Sequence, residues 1–210
     1  MYGDNVTEPR LRCVLPFEAV PAELCVLRKA VREQLACWGA LGLSDAIQLA
    51  VTELATNVIK HVGTGAPTTL VMELGGGRIR VELHDTSHVV PTVAEPDCGA
   101  ECGRGLHLLA GLAAAWGIIL TAAGKAVWCE MALEPSRHCA RLQRAAVVLA
   151  EYRRAGGSPP TAVPVRAVLE ESVTGVIADL LHWLATEGGE PDDALDRALM
   201  RYEAEVDAAA

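Results

Sequence analysis

Four features of the sequence have residue types and spacings that could do chemistry. Glu53 and Asn57 stand four residues apart in the stretch ELATNVIKH, Asp85 ends a run of alternating residues, and positions 103–106 read Gly-Arg-Gly-Leu. A helix start preceded by glycines offers free N–H groups to a phosphate, and an amide oxygen such as that of Asn57 suits Mg²⁺. Glu53 could accept a proton from an attacking hydroxyl, and Asp85 could accept a hydrogen bond from adenine N6. Together these features predict an ATP pocket.

Each of the four features is common when it is taken singly. Glu-x-x-x-Asn arises by chance, a Gly-x-Gly-Leu helix start is frequent, and an Asp after a strand is usually part of a turn. Their order along the chain and the elements on which they fall favour one shared site. Two interpretations of Arg104 stay open, namely a phosphate or partner contact and an exposed loop residue.

The elements that must position these residues are predicted by changes of period along the chain. Apolar residues spaced by three or four predict helices over 22–38 and 44–61. Strict alternation over 69–83 predicts a hairpin with one buried face, and 86–103 reads as a long loop, a kind of segment that is usually functional or disordered. With a further helix and hairpin behind that loop, residues 10–135 form an α+β unit with helices on one face of an antiparallel sheet.

Local signals add expectations about single residues. Ser44 is expected to cap the second helix through its hydroxyl. Pro16 is expected at the turn that ends the first strand. The turn of the second hairpin is expected at 123–125, with Trp116 ending the helix before it, and both Trp116 and Trp128 are expected in the core.

The character of the sequence changes after Pro135. Residues 137–154 read as a basic amphipathic helix, GGSPPTAVP reads as a linker, and two further helices follow. We therefore predict two domains, the first over 10–135 and a helical C-terminal extension over 136–210. The sequence leaves open whether the apolar stripes of this extension pack internally or form a surface for a partner or for self-association.

Composition narrows the classes of partner. The chain has 210 residues, of which 51% are hydrophobic, and a formal net charge of −9, which argues against direct contact with nucleic acid. No stretch approaches the roughly 20 apolar residues of a membrane span, and MYGDNVTEPR lacks the features of a signal peptide, so we expect a cytoplasmic protein. The seven cysteines form no C-x-x-C pair, and reduced thiols are expected.

The motifs resemble those of a known family. Over about residues 10–135 the chain resembles the anti-sigma-factor branch of the GHKL ATPase superfamily, which consists of serine/threonine protein-kinase-like regulators with the Bergerat ATP-binding fold. ELATNVIKH is similar to the N box of that family, VELHDTS to its first glycine box, GRGLHLL to its second glycine box and GKAVWCEMAL to its closing hairpin.

The resemblance implies a fold, a set of roles and an activity. The fold is a two-layer α/β sandwich, in which Glu53 would be the catalytic carboxylate and Asn57 the Mg²⁺ ligand. The cofactor-binding positions that it implies are Asn57, Asp85, Gly103, Arg104, Gly105 and Leu106. It further implies that the protein binds ATP with Mg²⁺ and sequesters a sigma factor. Some members phosphorylate a Ser on an anti-anti-sigma partner, so a serine/threonine kinase activity is one implication.

A second hypothesis belongs to another class of function, a non-catalytic interaction scaffold of the same fold that has lost nucleotide binding. Ser87 stands where the family usually has glycine, and Ala126 stands where a Thr commonly follows the Gly-Lys turn, and both departures favour it. A third hypothesis, free ATP hydrolysis that drives a conformational cycle, would need a transducer domain that is not evident. The sequence does not identify the partner, and it leaves a homodimer open.

Overall fold

The fold is organised around one antiparallel sheet. The computed structural model describes residues 10–90, 109–134, 137–156 and 165–209. The strands, in chain order, are β1 (Leu11–Glu18), β2 (Pro67–Gly75), β3 (Arg78–Asp85), β4 (Ala115–Thr121) and β5 (Gly124–Ala132). Their order across the sheet is β1-β2-β3-β5-β4, and each neighbouring pair is antiparallel. The β2–β3 hairpin and the β4–β5 hairpin therefore meet where β3 pairs with β5.

Two helices cover one face of the sheet. These are α1 (Glu23–Cys37) and α2 (Ser44–His61), and a short 3₁₀ turn, Leu41–Leu43, leads into α2. The two helices contact each other, α1 contacts β1, and α2 contacts β3. Residues 109–112 are also helical and precede β4. The predicted α+β, two-layer arrangement is confirmed.

The core lies between the helices and the inner face of the sheet. The alternation that predicted the first hairpin is confirmed, because one set of alternate residues on β2 and β3 is fully buried. The residues of this set are Leu70, Met72, Leu74, Ile79, Val81 and Leu83. The helices face them with the stripes that their spacing of three and four predicted. These stripes include Leu27, Val31, Leu35, Ile47, Val51, Leu54 and Val58.

Three helices follow the sheet, namely α3 (Arg137–Gly156), α4 (Val165–Thr186) and α5 (Pro191–Ala209). The chain divides into two compact units, Met1–Ala146 and Val147–Ala210, so the division falls within α3. The sequence predicted a boundary between 135 and 136, which is earlier in the chain. None of the helices in the described residues is long and apolar enough to cross a membrane.

Ser44 is not the N-cap that the sequence predicted. It is the first residue of α2 and already has helical dihedral angles, φ −57° and ψ −47°, and its N–H donates to the Leu41 carbonyl. Its hydroxyl accepts a hydrogen bond from Gln48 Nε2 at 2.8 Å instead of capping the backbone. Because the 3₁₀ turn runs directly into α2, the first helical N–H groups find partners without a side-chain cap.

Pro16 does not end the first strand either. The β1 strand continues through Pro16 to Glu18, and it pairs with β2 along its whole length. It lies at the edge of the sheet, with β2 as its one neighbour among the described strands. A proline is tolerated in an edge strand because its missing N–H can face away from the sheet.

Three expectations about the second hairpin were wrong. Thr121 pairs with Gly124, so the turn consists of residues 122 and 123 and the residues after it belong to β5. Trp116 lies in β4 and not on a helix, although it does pack partly buried against the core. Trp128 is not in the core, because the alternation of β5 that buries Cys129 directs Trp128 to the outer face of the sheet.

The outer face of the sheet carries a network of charged groups around Trp128. The Arg80 guanidinium lies 3.9 Å from the centroid of the Trp128 ring, and it donates hydrogen bonds to Glu82 and, at 2.9 Å, to Glu130. His84 Nε2 is 2.9 Å from the second oxygen of Glu82. The neighbouring strands thus hold opposite charges in register, which stabilises this half-buried face.

This network makes the stability of the fold depend on pH through Glu82. Burial by itself would raise the pKa of Glu82, but hydrogen bonds from Arg80 and His84 outweigh it and lower that pKa. The stabilisation is therefore present above the ordinary Glu pKa of about 4.3 and is lost as the pH falls through the lower pKa of the folded state. We expect the melting temperature of the wild type to fall below that pH more steeply than the melting temperature of Glu82→Gln.

Thermal unfolding followed by circular dichroism between about pH 6 and about pH 3 measures this difference. Glu33→Gln is the matched control, since Glu33 lies on the surface in an exposed pair with Lys29 and should follow the wild type. Parallel curves for the wild type and Glu82→Gln would contradict the expectation.

Candidate functional site

The candidate site begins with the row of polar residues on α2. Glu53 and Asn57 are half-buried and His61 is exposed, whereas Leu54 and Val58 beside them are buried. Successive members of the row are four residues apart, which places them one above the other on the same side of the helix. The predicted position of this row, at the border between core and solvent, is confirmed.

The side chains of Glu53 and Asn57 make no hydrogen bond or ion pair within the part of the chain that the structure describes. A carboxylate and an amide one helical turn apart, half-buried and without internal partners there, present oxygen atoms to a ligand. Oxygen donors of this kind suit a hard cation such as Mg²⁺. Among the described residues there is no group of three or more His, Cys, Asp or Glu that could hold a metal by itself.

The second component of the site is Asp85, the last residue of β3. Its side chain is 2% exposed, and its Oδ1 accepts hydrogen bonds from the backbone N–H of Ser87 at 2.8 Å and from Lys125 Nζ at 2.9 Å. Lys125 Nζ is also 3.4 Å from the Ser87 carbonyl oxygen. Asp85 and Lys125 are therefore a buried ion pair between the end of β3 and the start of β5.

Sequence reasoning missed Lys125. Because Lys125 was expected in a turn, Ala126 was expected next to Asp85. In the structure, Lys125 is the cross-strand partner of Asp85, and Ala126 is the partner of His84. The signal was available in the alternation of β5, because Lys125 shares a face with Val127, Cys129 and Met131, which are all buried. A lysine in such a series indicates a buried partner of opposite charge.

Gly124 permits this close pairing. Its φ of +153° is a conformation that residues with side chains rarely adopt, and a Cβ added there would lie 2.0 Å from the carbonyl oxygen of Asp85. The next nearest atoms belong to the backbone of Thr86, at 2.7 and 2.8 Å. The backbone of β5 thus approaches β3 at Asp85 to a distance that only glycine allows.

The structure places some of the predicted site residues on elements that pack against each other. The helix α2, which carries Glu53 and Asn57, packs against β3, which ends at Asp85, although no hydrogen bond joins the two groups of side chains among the described residues. The other predicted positions, Gly103, Arg104, Gly105 and Leu106, lie outside the described residues. The described part of the site is therefore the α2 row together with the Asp85–Lys125 pair.

The fold and a family model define the class of protein. The five-stranded antiparallel sheet with helices on one face has the α+β, two-layer arrangement that the resemblance to the GHKL ATPases implied. The family model for the histidine kinase-like ATPase domain matches residues 17–131, which is more than half of the chain. The chain belongs to this family.

Two individual proteins are similar to the chain. An uncharacterised protein of Streptomyces coelicolor is 40% identical over 88 residues, which cover 40% of this chain and 84% of that protein. The histidine kinase domain of the blue-light-activated histidine kinase of Erythrobacter litoralis is 20% identical, with a TM-score of 0.36. That likeness covers 60% of this chain and 64% of the kinase chain, so the protein spans less than two thirds of that structure.

Proposed function

We propose that the first unit binds ATP together with Mg²⁺ and that the protein is a regulator whose protein contacts depend on the bound nucleotide. The observation that supports this best is the packing of α2 on β3, because it puts the half-buried Glu53 and Asn57 on an element adjacent to the one that ends in buried Asp85. Membership of the histidine kinase-like ATPase family supports the same ligand.

In this proposal each residue has a separate task. Asp85 accepts a hydrogen bond from the exocyclic amine of adenine, and Asn57 contributes an amide oxygen to the bound cation. Mg²⁺, when bound, neutralises charge on the phosphate oxygens. Gly103, Arg104, Gly105 and Leu106 would contribute the phosphate end of the site through backbone N–H groups.

The finer proposal concerns the partner. We propose that the nucleotide-loaded protein sequesters a sigma factor and that an anti-anti-sigma protein is its antagonist. In the kinase version, a Ser hydroxyl oxygen of that antagonist forms a bond to the γ-phosphorus while the bond to the bridging oxygen breaks, ADP leaves, and Glu53 takes the hydroxyl proton. The net charge of −9 supports a partner with a basic protein surface.

One observation favours a second candidate, a protein-interaction scaffold that does not bind nucleotide. Asp85 Oδ1 already accepts two internal hydrogen bonds, one of them from a buried Lys125 ammonium group. The Asp85 side chain is only 2% exposed, so an adenine amine could reach it only if buried groups moved, and moving a buried ion-pair partner is costly. The two candidates differ in a single measurable property, the affinity for ATP.

Calorimetric titration of ATP, with and without Mg²⁺, tests the proposal. Removing Asp85 alone would leave Lys125 buried without its anion, so both members of the pair are changed together. In Asp85→Asn/Lys125→Met the acceptor oxygen is kept, whereas in Asp85→Ala/Lys125→Met it is removed. We expect saturable binding to the wild type and to the first double variant, and loss of binding in the second double variant.

The contribution of α2 is tested in the same titration. Asn57→Ala should bind ATP equally well with and without Mg²⁺, and Glu53→Ala should retain binding while any phosphoryl transfer is lost. Circular dichroism verifies that each variant is folded. If the folded wild-type protein gives no heat at millimolar ATP, the nucleotide proposal is wrong and the scaffold candidate is supported.

A further inference from the structure

The second unit leaves an apolar stripe of α4 exposed to solvent. Five residues spaced by three or four along this helix have exposed fractions between 37% and 61%. They are Leu169, Val173, Ile177, Leu180 and Trp183. With about 100° of rotation per residue, all five fall on one side of the helix. Apolar side chains in such a continuous row usually mark a contact surface.

The helix α5 has a second stripe of the same kind. Its four members are 36% to 67% exposed, and they are Leu195, Leu199, Tyr202 and Val206. Helices α4 and α5 contact each other, yet none of the residues from 147 onward whose burial the structure describes is fully buried. Helices that leave so much of their apolar faces uncovered are expected to bury them against a further helix.

A different side of α4 is already used within the unit. Tyr152 on α3 donates a hydrogen bond to Asp179 Oδ2 at 2.9 Å, and its hydroxyl lies against Gly175, where an added Cβ would come within 2.8 Å. Gly175 and Asp179 lie about 100° or more around the helix from Leu180. The centre of the exposed stripe therefore lies on a different side of α4 from the surface that contacts α3, and Trp183 is the stripe residue nearest to that surface.

Charge indicates which kind of partner fits this surface. Residues 147–210 contain twelve Asp and Glu, five Arg and no Lys, which gives a formal net charge of −7 out of −9 for the whole chain. On α5, Asp196 and Glu203 stand directly beside the stripe residues Leu195 and Tyr202. A second copy would bring the same excess of negative charge to the contact, whereas a basic partner would neutralise it.

We propose that the exposed stripes of α4 and α5 form a docking surface for a basic amphipathic helix of another protein. The apolar side of that helix covers the two stripes, and its Lys and Arg side chains pair with the acidic residues at their borders. This is recognition of a helix through apolar residues spaced three or four apart, combined with charge complementarity that selects the partner. This surface belongs to the second unit, whereas the proposed nucleotide site belongs to the first.

The full-length protein can be tested with three synthetic peptides of about 18 residues, enough for about five helical turns. The probe contains Leu at helical spacing and Lys elsewhere. One control replaces every Lys with Glu, and the other has the composition of the probe in a scrambled order. We expect saturable binding of the labelled probe by fluorescence anisotropy, and little binding of either control. Raising the salt from about 0.1 M to about 0.5 M should weaken binding severalfold.

Matched variants assign the binding to the stripes. Leu180→Glu/Tyr202→Glu places two charges on the docking surface, while Ala178→Glu/Ala204→Glu places the same charges on exposed positions of the opposite sides of α4 and α5. We expect the first variant to lose at least about tenfold in affinity and the second to bind like the wild type. Trp183, the one tryptophan after residue 147, should shift its emission to shorter wavelength when the probe covers it.

Three outcomes would overturn the proposal. If the Lys and Glu peptides bind equally well, charge does not select the partner. If the two double variants lose the same affinity for the probe, the probe does not bind at the stripes. The third outcome combines two results. The protein does not bind the probe, and sedimentation shows a concentration-dependent dimer that Leu180→Glu/Tyr202→Glu dissociates. A second copy of the chain would then be the occupant of the surface.

Discussion

Replacing Lys125 by methionine is expected to lower the free energy of unfolding by about 3–5 kcal/mol, because the buried carboxylate of Asp85 would lose its cation. Lys125 and Asp85 are 7% and 2% exposed, so water could not replace the lost partner. The backbone N–H of Ser87 would be the remaining donor to Oδ1 that the structure describes. Urea unfolding followed by tryptophan fluorescence measures the loss.

The double variant Asp85→Asn/Lys125→Met should be compared with Lys125→Met. It removes both charges and keeps an oxygen that can accept a hydrogen bond from the Ser87 N–H. We therefore expect its free energy of unfolding to be close to that of the wild type. Lys29→Met, on a lysine that is 78% exposed, is the control for loss of a surface charge and should change stability by less than about 0.5 kcal/mol. If Lys125→Met behaves like Lys29→Met, the ion pair is not buried in solution.

Replacing Gly124 by alanine is expected to destabilise the fold by about 3 kcal/mol or more, at or above the upper end of the usual range for single substitutions. The new Cβ would lie 2.0 Å from the Asp85 carbonyl oxygen, and the atoms that it meets belong to backbone, which cannot rotate away. The φ of +153° adds strain for any residue with a side chain. The β3–β5 ladder would have to separate at the Asp85–Lys125 pair.

Two other glycines serve as controls for Gly124→Ala. A Cβ at Gly42 meets no atom within 4 Å and the residue has no positive φ, so Gly42→Ala should leave stability almost unchanged. Gly77 also has open space but a φ of +68°, so Gly77→Ala should cost about 1 kcal/mol from backbone strain alone. We expect the melting temperature to be highest for Gly42→Ala, lower for Gly77→Ala and lowest for Gly124→Ala. A different order would contradict the steric argument.

The architecture could be predicted from the sequence because periodicity reports burial. Alternation in the first hairpin and the spacing of three and four in α1 and α2 predicted the buried faces, and the structure confirms them. The position of Glu53 and Asn57 on the border of α2 followed from the same periodicity. These features depend on residues close together in the sequence, where the geometry of a helix or strand is known in advance.

The part that the sequence analysis missed depends on the position of turns and on contacts between distant segments. The turn was expected at 123–125 but lies at 122–123, and this error moved Lys125 away from Asp85, since the face of every residue in a strand depends on where the turn lies. Trp128 was expected in the core, but it lies on the outer face of the sheet, where the group over its ring is Arg80 of another strand. The interaction of Ser44 with Gln48 in place of the backbone likewise depends on a preceding 3₁₀ turn that has no strong local signal.

The proline within β1 has a consequence for how copies of the protein can associate. An open strand edge is a template on which a second sheet can grow, and it needs a regular series of backbone donors. Pro16 interrupts that series, and the exposed residues on either side of it include the charged Arg12 and Glu18. Extension of the sheet across β1 by a second copy is therefore disfavoured.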